Sequence, residues 1–276
     1  MPLRSSPPVL LLFASLLVLA GCGPNTFLAD RDRDIKDATQ AIQTARDNVQ
    51  RAKAYSARGV AYSEKARFSR IAKLIAEDEY ERLFDLAMQD HNQAVALNPA
   101  SAEVFFNRAQ ANYDRGGGDL EENKTGGGKI WFDAAALDFV KATEKDPKNE
   151  LAFDRLGLTY ESEREDDKAV QAYTQVMALN SHDGKSRLAE LYCEIGFHSG
   201  QDTAKAIAAY WKSIEYGPVD SDTCNVEPLG ALVEIYMSQT REYDKAWDAV
   251  HRAQKAGRWI AADVIERLKK VSGRSE

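Results

Sequence analysis

The sequence predicts an all-α fold in which about five antiparallel helix pairs stack side by side as a solenoid. One pattern of small, apolar and aromatic residues at fixed spacings recurs five times and covers most of residues 50–256. Prolines after Asn98 and Asp146 end second helices, because proline lacks an amide hydrogen and disfavours helix in the residue before it. Small residues stand where the two helices of a pair must approach closely, at Gly59, Ala87, Ala135, Gly157 and Ala169.

The third copy of the pattern is uninterrupted. It reads Phe153-x-x-Leu156-Gly157-x-x-Tyr160, followed by Ala169, Tyr173 and Val176. This spacing resembles the tetratricopeptide (TPR) repeat, although Ser181 stands where that family usually has proline. The resemblance implies a right-handed superhelix whose concave groove binds other proteins. The five predicted copies are residues 51–99, 102–147, 150–181, 183–218 and 226–256.

Three departures from the pattern fall at turns between paired helices. About 16 extra residues stand between Tyr62 and Ala87, and helix-like residues 69–83 predict that the insertion lengthens both helices. Glycine triplets at 116–118 and 126–128 frame a second insertion, for which the composition predicts a flexible connector. In the fourth copy the turn at 196–203 is five residues longer, as in the Sel1-like variant of the repeat.

Both ends of the stack carry a predicted capping helix. Residues 34–50 place apolar side chains on one helical side, and residues 259–271 do the same. A repeat stack needs such caps to cover its open apolar ends. The solenoid is therefore predicted to occupy residues 34–272.

The first 21 residues have the form of a signal peptide. Arg4 supplies the positive charge, and the apolar run of residues 9–20 is too short for a permanent membrane helix. Leu19-Ala20-Gly21-Cys22 resembles the bacterial lipobox, which implies cleavage before Cys22 and thioether lipidation of its sulfur. The alternative is an ordinary secretory signal, with Cys22 incidental. Residues 22–33 are predicted to form a lipid-anchored linker.

The predicted location is the periplasmic face of the bacterial outer membrane. In the lipoprotein sorting rule, an aspartate after the lipidated cysteine favours the inner membrane, and here Gly23 follows Cys22. A formal net charge of −7 makes nucleic acid and anionic lipid surfaces poor partners. An oxidising periplasm would permit Cys193 and Cys224 to pair. We nevertheless expect two free, partly buried thiols, because these residues are predicted at opposite ends of one helix pair.

The sequence offers no pattern typical of catalysis, metal binding or a cofactor. The four histidines are far apart, and none stands at metal-ligand spacing from another histidine or a cysteine. His91 occupies a slot for a large residue, which predicts a packed core histidine. The carboxylates of residues 161–167 could form a cation site or contact a basic partner, but a solvated helix end is the favoured interpretation. We therefore predict that the protein is not an enzyme.

The remaining function that the sequence suggests is the binding of other proteins through the groove. In the family, positions two, five, nine and twelve of each first helix face the groove. The resemblance therefore implies a partner-binding groove formed by Glu103, Phe106, Gln110, Tyr113, Leu151, Asp154, Leu158, Glu161 and Glu190. An exposed pair of Phe106 and Tyr113 would suit an amphipathic or basic peptide, unless the glycine-framed insertion covers Phe106. Of the residues with which chaperone-binding members grip a peptide carboxylate, only Asn107 and Arg108 have counterparts.

The predicted function is that of an outer-membrane lipoprotein acting as an adaptor in cell-envelope assembly. The chain looks like the lipoproteins that position cell-wall hydrolases, pilus secretins or barrel-assembly components. Expected partners are envelope proteins or peptides and the membrane through the lipid anchor, with a second copy of the chain as a further candidate, but not nucleic acid. The alternative is an enzyme or ligand-binding protein whose site is built by the insertions at 63–86 and 116–131.

Overall fold

A computed structural model describes residues 24–121, 128–218, 224 and 226–274. In these residues all regular secondary structure is helical, which confirms the predicted all-α class. The signal peptide and Cys22 lie outside the described residues. The helices are α1 (Pro24–Thr44), α2 (Asn48–Ile71), α3 (Glu77–Leu97), α4 (Ala102–Glu121), α5 (Lys129–Lys145), α6 (Glu150–Ser162), α7 (Asp166–Leu179), α8 (Ser181–His198), α9 (Thr203–Tyr216), α10 (Pro228–Ile235, continued by a π-helical turn Tyr236–Thr240), α11 (Tyr243–Lys255) and α12 (Ala262–Ser272).

The helices form two compact units, α1 to α5 and α6 to α12. In the first unit α2 pairs with α3 and α4 with α5, α1 packs on α2, and α4 lies against both helices of the first pair. In the second unit each helix packs on the next one along the chain. The predicted helix pairs are therefore hairpins α2/α3, α4/α5, α6/α7, α8/α9 and α10/α11, in the tetratricopeptide-type arrangement that the sequence resembles.

The hairpins close where a glycine on one helix meets a ring on the other. A methyl group at Gly157 would overlap the ring of Tyr173, and one at Gly59 would come within 2.9 Å of the His91 ring. His91 is fully buried, as predicted, and burial, helped by the positive charge of Arg108, lowers its pKa to about 4. Neither ring nitrogen has a hydrogen-bond partner in the described part of the chain. This histidine is a space-filling core residue.

An arginine–aspartate pair crosses each of the first two hairpins. Arg58 donates two hydrogen bonds to buried Asp90, at 2.6 and 2.8 Å. Arg108 donates two to buried Asp138, at 2.6 and 2.9 Å. Hairpin α6/α7 has apolar residues in the equivalent slots, Leu156 and Ala172. The spacing pattern gave no sign of these ion pairs, because it records only residue size.

The first insertion lengthens α2 and α3, as predicted, but residues 69–83 are not one helix. The chain leaves α2 after Ile71 and enters α3 at Glu77, so the turn lies inside that stretch. The long α2 gives α1 a surface on which to pack. The ring of Phe27 lies 4.5 Å from that of Phe68, and Arg31 forms an ion pair with Glu64.

The predicted lipid-anchored linker at residues 22–33 is therefore helical from Pro24 onward, where α1 begins. The predicted bounds 34–50 of the first cap are wrong, because α1 ends at Thr44. Asp47 caps the next helix by accepting a hydrogen bond from the Gln50 amide at 2.7 Å. At the other end, α12 matches the predicted C-terminal cap, and its Leu268 is fully buried.

The prediction of a flexible connector is wrong for the first glycine triplet, which lies inside α4. A methyl group at Gly116 would come within 2.9 Å of the Phe132 ring, and one at Gly118 would lie 2.5 Å from the guanidinium of Arg70. These glycines are explained by close packing instead of by chain flexibility. Residues 122–127, which include Gly126 and Gly127, lie outside the described residues.

The extra residues of the fourth copy lengthen α8 and not the turn, which spans only residues 199–202. The added helix packs because Gly196 lies beneath the ring of Tyr210. Ala189, the residue of this copy that corresponds to Gly157 in the repeat spacing, instead accepts a hydrogen bond at its carbonyl from the Ser213 hydroxyl at 2.8 Å. The small residue that meets the ring in this hairpin is therefore Gly196 and not the residue that the repeat spacing indicates.

Cys193 and Cys224 form a disulfide bond, so the expectation of two free thiols is wrong. Their Cα atoms lie 6.2 Å apart, and both side chains are buried. Cys193 lies roughly 18 Å along α8 at 1.5 Å per residue. From Tyr216 to Cys224 the chain can cover about 26 Å at ~3.3 Å per residue, which is enough to return along α8.

Within the described part of the chain, no helix is both long and apolar enough to cross a bilayer.

The glycine run of α4 gives a matched pair of variants. Gly117 has open space where a Cβ would stand. We therefore expect Gly117→Ala to raise the free energy of unfolding by up to about 1 kcal/mol, the usual helix preference of alanine over glycine. Gly116→Ala should instead lower it by about 1–3 kcal/mol, because the methyl group meets Phe132. Urea denaturation followed by circular dichroism measures both. Equal, near-zero effects would mean that this segment is not helical in solution.

Candidate binding surfaces

A groove in the first unit is lined by small apolar residues of α1 and α2. Its volume is about 730 Å³. Asp37, Lys53 and Glu103 stand around it, and none of them forms an ion pair with a described residue. Of the four groove residues predicted on α4, Glu103 lies here. The apolar lining is Ala38, Ala41, Ala54, Ala57, Val60 and Ala61.

The other predicted residues of α4 are largely engaged within the first unit. Phe106 and Tyr113 are half-buried instead of exposed, because their rings meet those of Phe139 and Phe132 of α5 edge-on, each pair 5.5 Å apart. Gln110 donates to a neighbouring carboxylate one turn further along α4. Truncating the two aromatic residues would therefore loosen hairpin α4/α5 as well as change any groove.

The two counterparts of the peptide-carboxylate clamp are engaged too. The Asn107 side chain donates to the Ser56 hydroxyl at 2.9 Å, and Arg108 is held by Asp138. These contacts fix α4 against α2 and α5. We conclude that the two residues serve packing in this fold.

In the second unit the structure brings the predicted residues together. Leu151, Asp154, Leu158 and Glu161 follow one side of α6, and Glu190 faces them from α8. We call this surface the acidic face, and it also includes Arg187 and Glu194, which the sequence pattern did not indicate. A cavity of about 500 Å³ lies between Leu151 and Asp154 on α6 and Arg187 and Glu190 on α8. Leu151 is 50% exposed at its edge.

Arg187 organises the acidic face. Its guanidinium donates to both carboxylate oxygens of Asp154, at 2.6 and 3.3 Å, and lies 3.6 Å from the Glu190 carboxylate. These carboxylates raise its pKa despite the opposing effect of burial. The sequence signal for Arg187 was an opposite charge about one repeat after Asp154. The pattern missed it because Arg187 stands three residues before Glu190, at a helix position outside the four that face the groove in the family.

The ionised form of the Glu161 carboxylate is disfavoured in the folded protein. It accepts a hydrogen bond from the Tyr173 hydroxyl at 2.8 Å. Burial raises its pKa to about 6, and the negative charges of Glu194 and Glu190 act in the same direction. Glu161 and Glu194 also line a cavity of about 350 Å³, together with Arg164 and His198. The four carboxylates of the acidic face therefore face two arginines, Arg187 and Arg164, and the surface stays net negative.

The two insertions meet in the first unit, and their side chains fill each other's space. The Arg115 guanidinium lies 4.8–5.1 Å from the ring centroids of Tyr80, Phe84 and Trp131. Trp131 donates to the Asp119 carboxylate at 2.9 Å. This is a packed cation–π cluster. Among the described residues, no group of three or more His, Cys, Asp or Glu side chains is placed to hold a metal ion.

The sequence matches no protein-family model and no curated protein. Solved structures with similar folds include MamA, with 18% identity and a TM-score of 0.41, covering 68% of this chain and 89% of that one. PilF of Pseudomonas aeruginosa is 14% identical with a TM-score of 0.39, and the match covers 82% of this chain and 91% of PilF. TTC0263, a thermophilic TPR protein of Thermus thermophilus, is 21% identical with a TM-score of 0.37, and the match covers 74% of this chain and 99% of TTC0263. At these values the likenesses carry no weight for function. The fold is assigned from the helix hairpins and their glycine–ring contacts.

The raised pKa of Glu161 predicts a pH-dependent effect of Glu161→Gln. Because the pKa rises from 4.5 to about 6 on folding, the charged carboxylate destabilises the folded state as pH rises through this range. A glutamine side chain can still accept a hydrogen bond from the Tyr173 hydroxyl, but it carries no charge. We expect the variant to be more stable than the parent by roughly 1–2 kcal/mol at pH 8 and by nothing at pH 4. Urea unfolding at the two pH values measures this, with exposed Glu215→Gln as control. A gain at pH 4 as large as that at pH 8 would contradict the assignment.

Proposed function

We propose that the chain is an exported, lipid-anchored adaptor whose acidic face binds basic, amphipathic segments of other cell-envelope proteins. The observation that carries this proposal is the convergence of four carboxylates between α6 and α8: Asp154 and Glu190 contact Arg187, and Glu161 lies within the field of Glu190 and Glu194. A tetratricopeptide-type fold suits protein–protein interaction, and the acidic face supplies the chemistry.

The contacts of the acidic face favour a cationic partner. The negative charges of Glu194 and Glu190 disfavour ionisation of Glu161, so a lysine or arginine side chain between α6 and α8 would relieve this repulsion. Leu151 stands exposed beside them and offers an apolar contact. Apolar contact plus opposite charge is the combination with which grooves bind amphipathic helices and peptides.

Two features support export and anchoring. The first is the signal peptide with its lipobox ending at Cys22. The second is the buried disulfide between Cys193 and Cys224, because such bonds persist in oxidising compartments such as the periplasm. Gly23 after the lipidation site supports the outer membrane as the destination. No observation favours the alternative of an enzyme site built by the insertions, since their described side chains pack against each other.

Anchoring is tested by expressing the full chain in a Gram-negative host with radiolabelled palmitate. We expect label on the parent and none on Cys22→Ser, because the thiol is the attachment point. Gly23→Asp is the matched control for sorting: it should keep the label but move the protein from the outer- to the inner-membrane fraction of a density gradient. Equal labelling of the parent and Cys22→Ser would refute the lipid anchor.

Partner binding is tested with a photo-crosslinking amino acid at one of two exposed leucines. Leu151 borders the acidic face, whereas Leu137 lies on α5 and is 66% exposed. In intact cells we expect discrete crosslinked products from position 151 and none from position 137. Glu190→Lys with Glu194→Lys should remove the products by repelling a basic partner, whereas Glu215→Lys should not. If both leucine positions crosslink alike, or if the double reversal has no effect, the acidic face is not the binding surface.

A further inference from the structure

The turn between α2 and α3 is apolar and exposed to solvent. Residues 71–76 read Ile-Ala-Lys-Leu-Ile-Ala, with Lys73 as their only charge. Ile71 is 41% and Leu74 52% exposed, and only Ile75 is partly covered, by a cluster that contains Tyr80. We call residues 71–76 the apolar tip. Helix–helix turns on a protein surface are normally polar, so these exposed side chains need an explanation.

The other hairpin turns that the structure describes throughout are polar. They are Glu163-Arg164-Glu165 between α6 and α7, Ser199-Gly200-Gln201-Asp202 between α8 and α9, and Arg241-Glu242 between the end of the α10 segment and α11. The fold therefore closes its hairpins without apolar residues elsewhere. The apolar side chains of the tip are therefore not required to close a hairpin and call for an explanation specific to this turn.

The packing of α1 places the start of the described chain at this same end. Phe27 stacks on Phe68, Arg31 pairs with Glu64, and Thr39 accepts a hydrogen bond from Arg58 at 3.1 Å. Each step forward along α1 is thus matched by a step backward along α2. By this register the first turn of α1, at Pro24, lies level with Ile71 at the end of α2. Cys22 precedes Pro24 by two residues.

We propose that the apolar tip rests in the interfacial layer of the bilayer to which Cys22 is attached. This inference rests on the lipid anchor of the proposed function. Only Gly23 stands between Cys22 and the start of α1 in the sequence, and α1 is packed onto α2. The bilayer surface is then held permanently beside the tip, at a high effective concentration. There Leu74 and Ile71 would leave water, while Lys73 could reach lipid phosphate groups.

The surrounding charges allow this approach. The acidic first turn of α3 follows the tip directly, but Glu77 pairs with Arg70 and Glu79 with Arg82. Its carboxylates are therefore largely balanced within the protein. The tip itself carries a single positive charge, which suits a membrane with some anionic lipid even though the whole chain is acidic.

The test uses the lipidated full chain in vesicles of equal parts phosphatidylethanolamine and phosphatidylglycerol. Leu74→Cys carries an environment-sensitive fluorophore, since Cys193 and Cys224 are paired and do not react. Ala100→Cys is the matched control, because it is exposed and lies beyond the far end of α3, about 32 Å from the tip. We expect a blue-shifted, several-fold brighter emission at position 74, strongly quenched by brominated lipid. Position 100 should show neither change.

Each outcome discriminates. Water-like emission from both positions in a palmitate-bearing, vesicle-bound protein would overturn the inference and leave the anchor intact. A blue shift at position 74 without quenching by brominated lipid would overturn it in favour of contact with a second copy. Absence of palmitate would overturn the anchor and, with it, this inference, and the separate palmitate readout distinguishes that case.

Discussion

The close approach of a bare helix backbone to a ring on the facing helix is the constraint on which this fold depends. His91 lies over Gly59, Tyr173 over Gly157 and Tyr210 over Gly196. Each contact sets how near two antiparallel helices come and which residues stand opposite each other. The buried apolar side chains on both sides of the ring then have fixed neighbours, and each hairpin presents the next one with a defined surface.

The sequence predicted the five hairpins well because small residues and rings at fixed spacings are local features of a chain. It failed where the outcome depends on what a residue touches. The glycine-rich composition predicts flexibility at residues 116–118, yet Gly116 faces the Phe132 ring inside a helix. The disulfide depended on the path between α9 and α10, which residue spacing does not define. The spacing pattern also could not predict the ion pair between Arg58 and Asp90, because each residue has a partner only once the two helices are packed together.

The residues predicted to line the groove show the same division. Asp154, Glu161 and Glu190, which the family positions name, lie on one face because helical periodicity decides which side of a helix a residue occupies. Periodicity says nothing about what covers that side, and Phe106 lies half-buried under Phe139 for this reason. Nor does it reveal partners on the next helix, such as Arg187. The chemistry of the acidic face thus depends on side-chain contacts between α6 and α8, such as that of Arg187 with Asp154.

The arginine–aspartate pairs of the first unit bear on how a chain of similar repeats avoids assembling wrongly. Helices α2 and α4 each carry an arginine in a slot that α6 fills with Leu156, and α3 and α5 each carry the matching aspartate. If a helix of one unit annealed to a helix of the other during folding, an ionised side chain would be sealed against hydrocarbon without its counterion. Such a mismatch costs about 3–5 kcal/mol, which would disfavour an exchange of these helices between the two units.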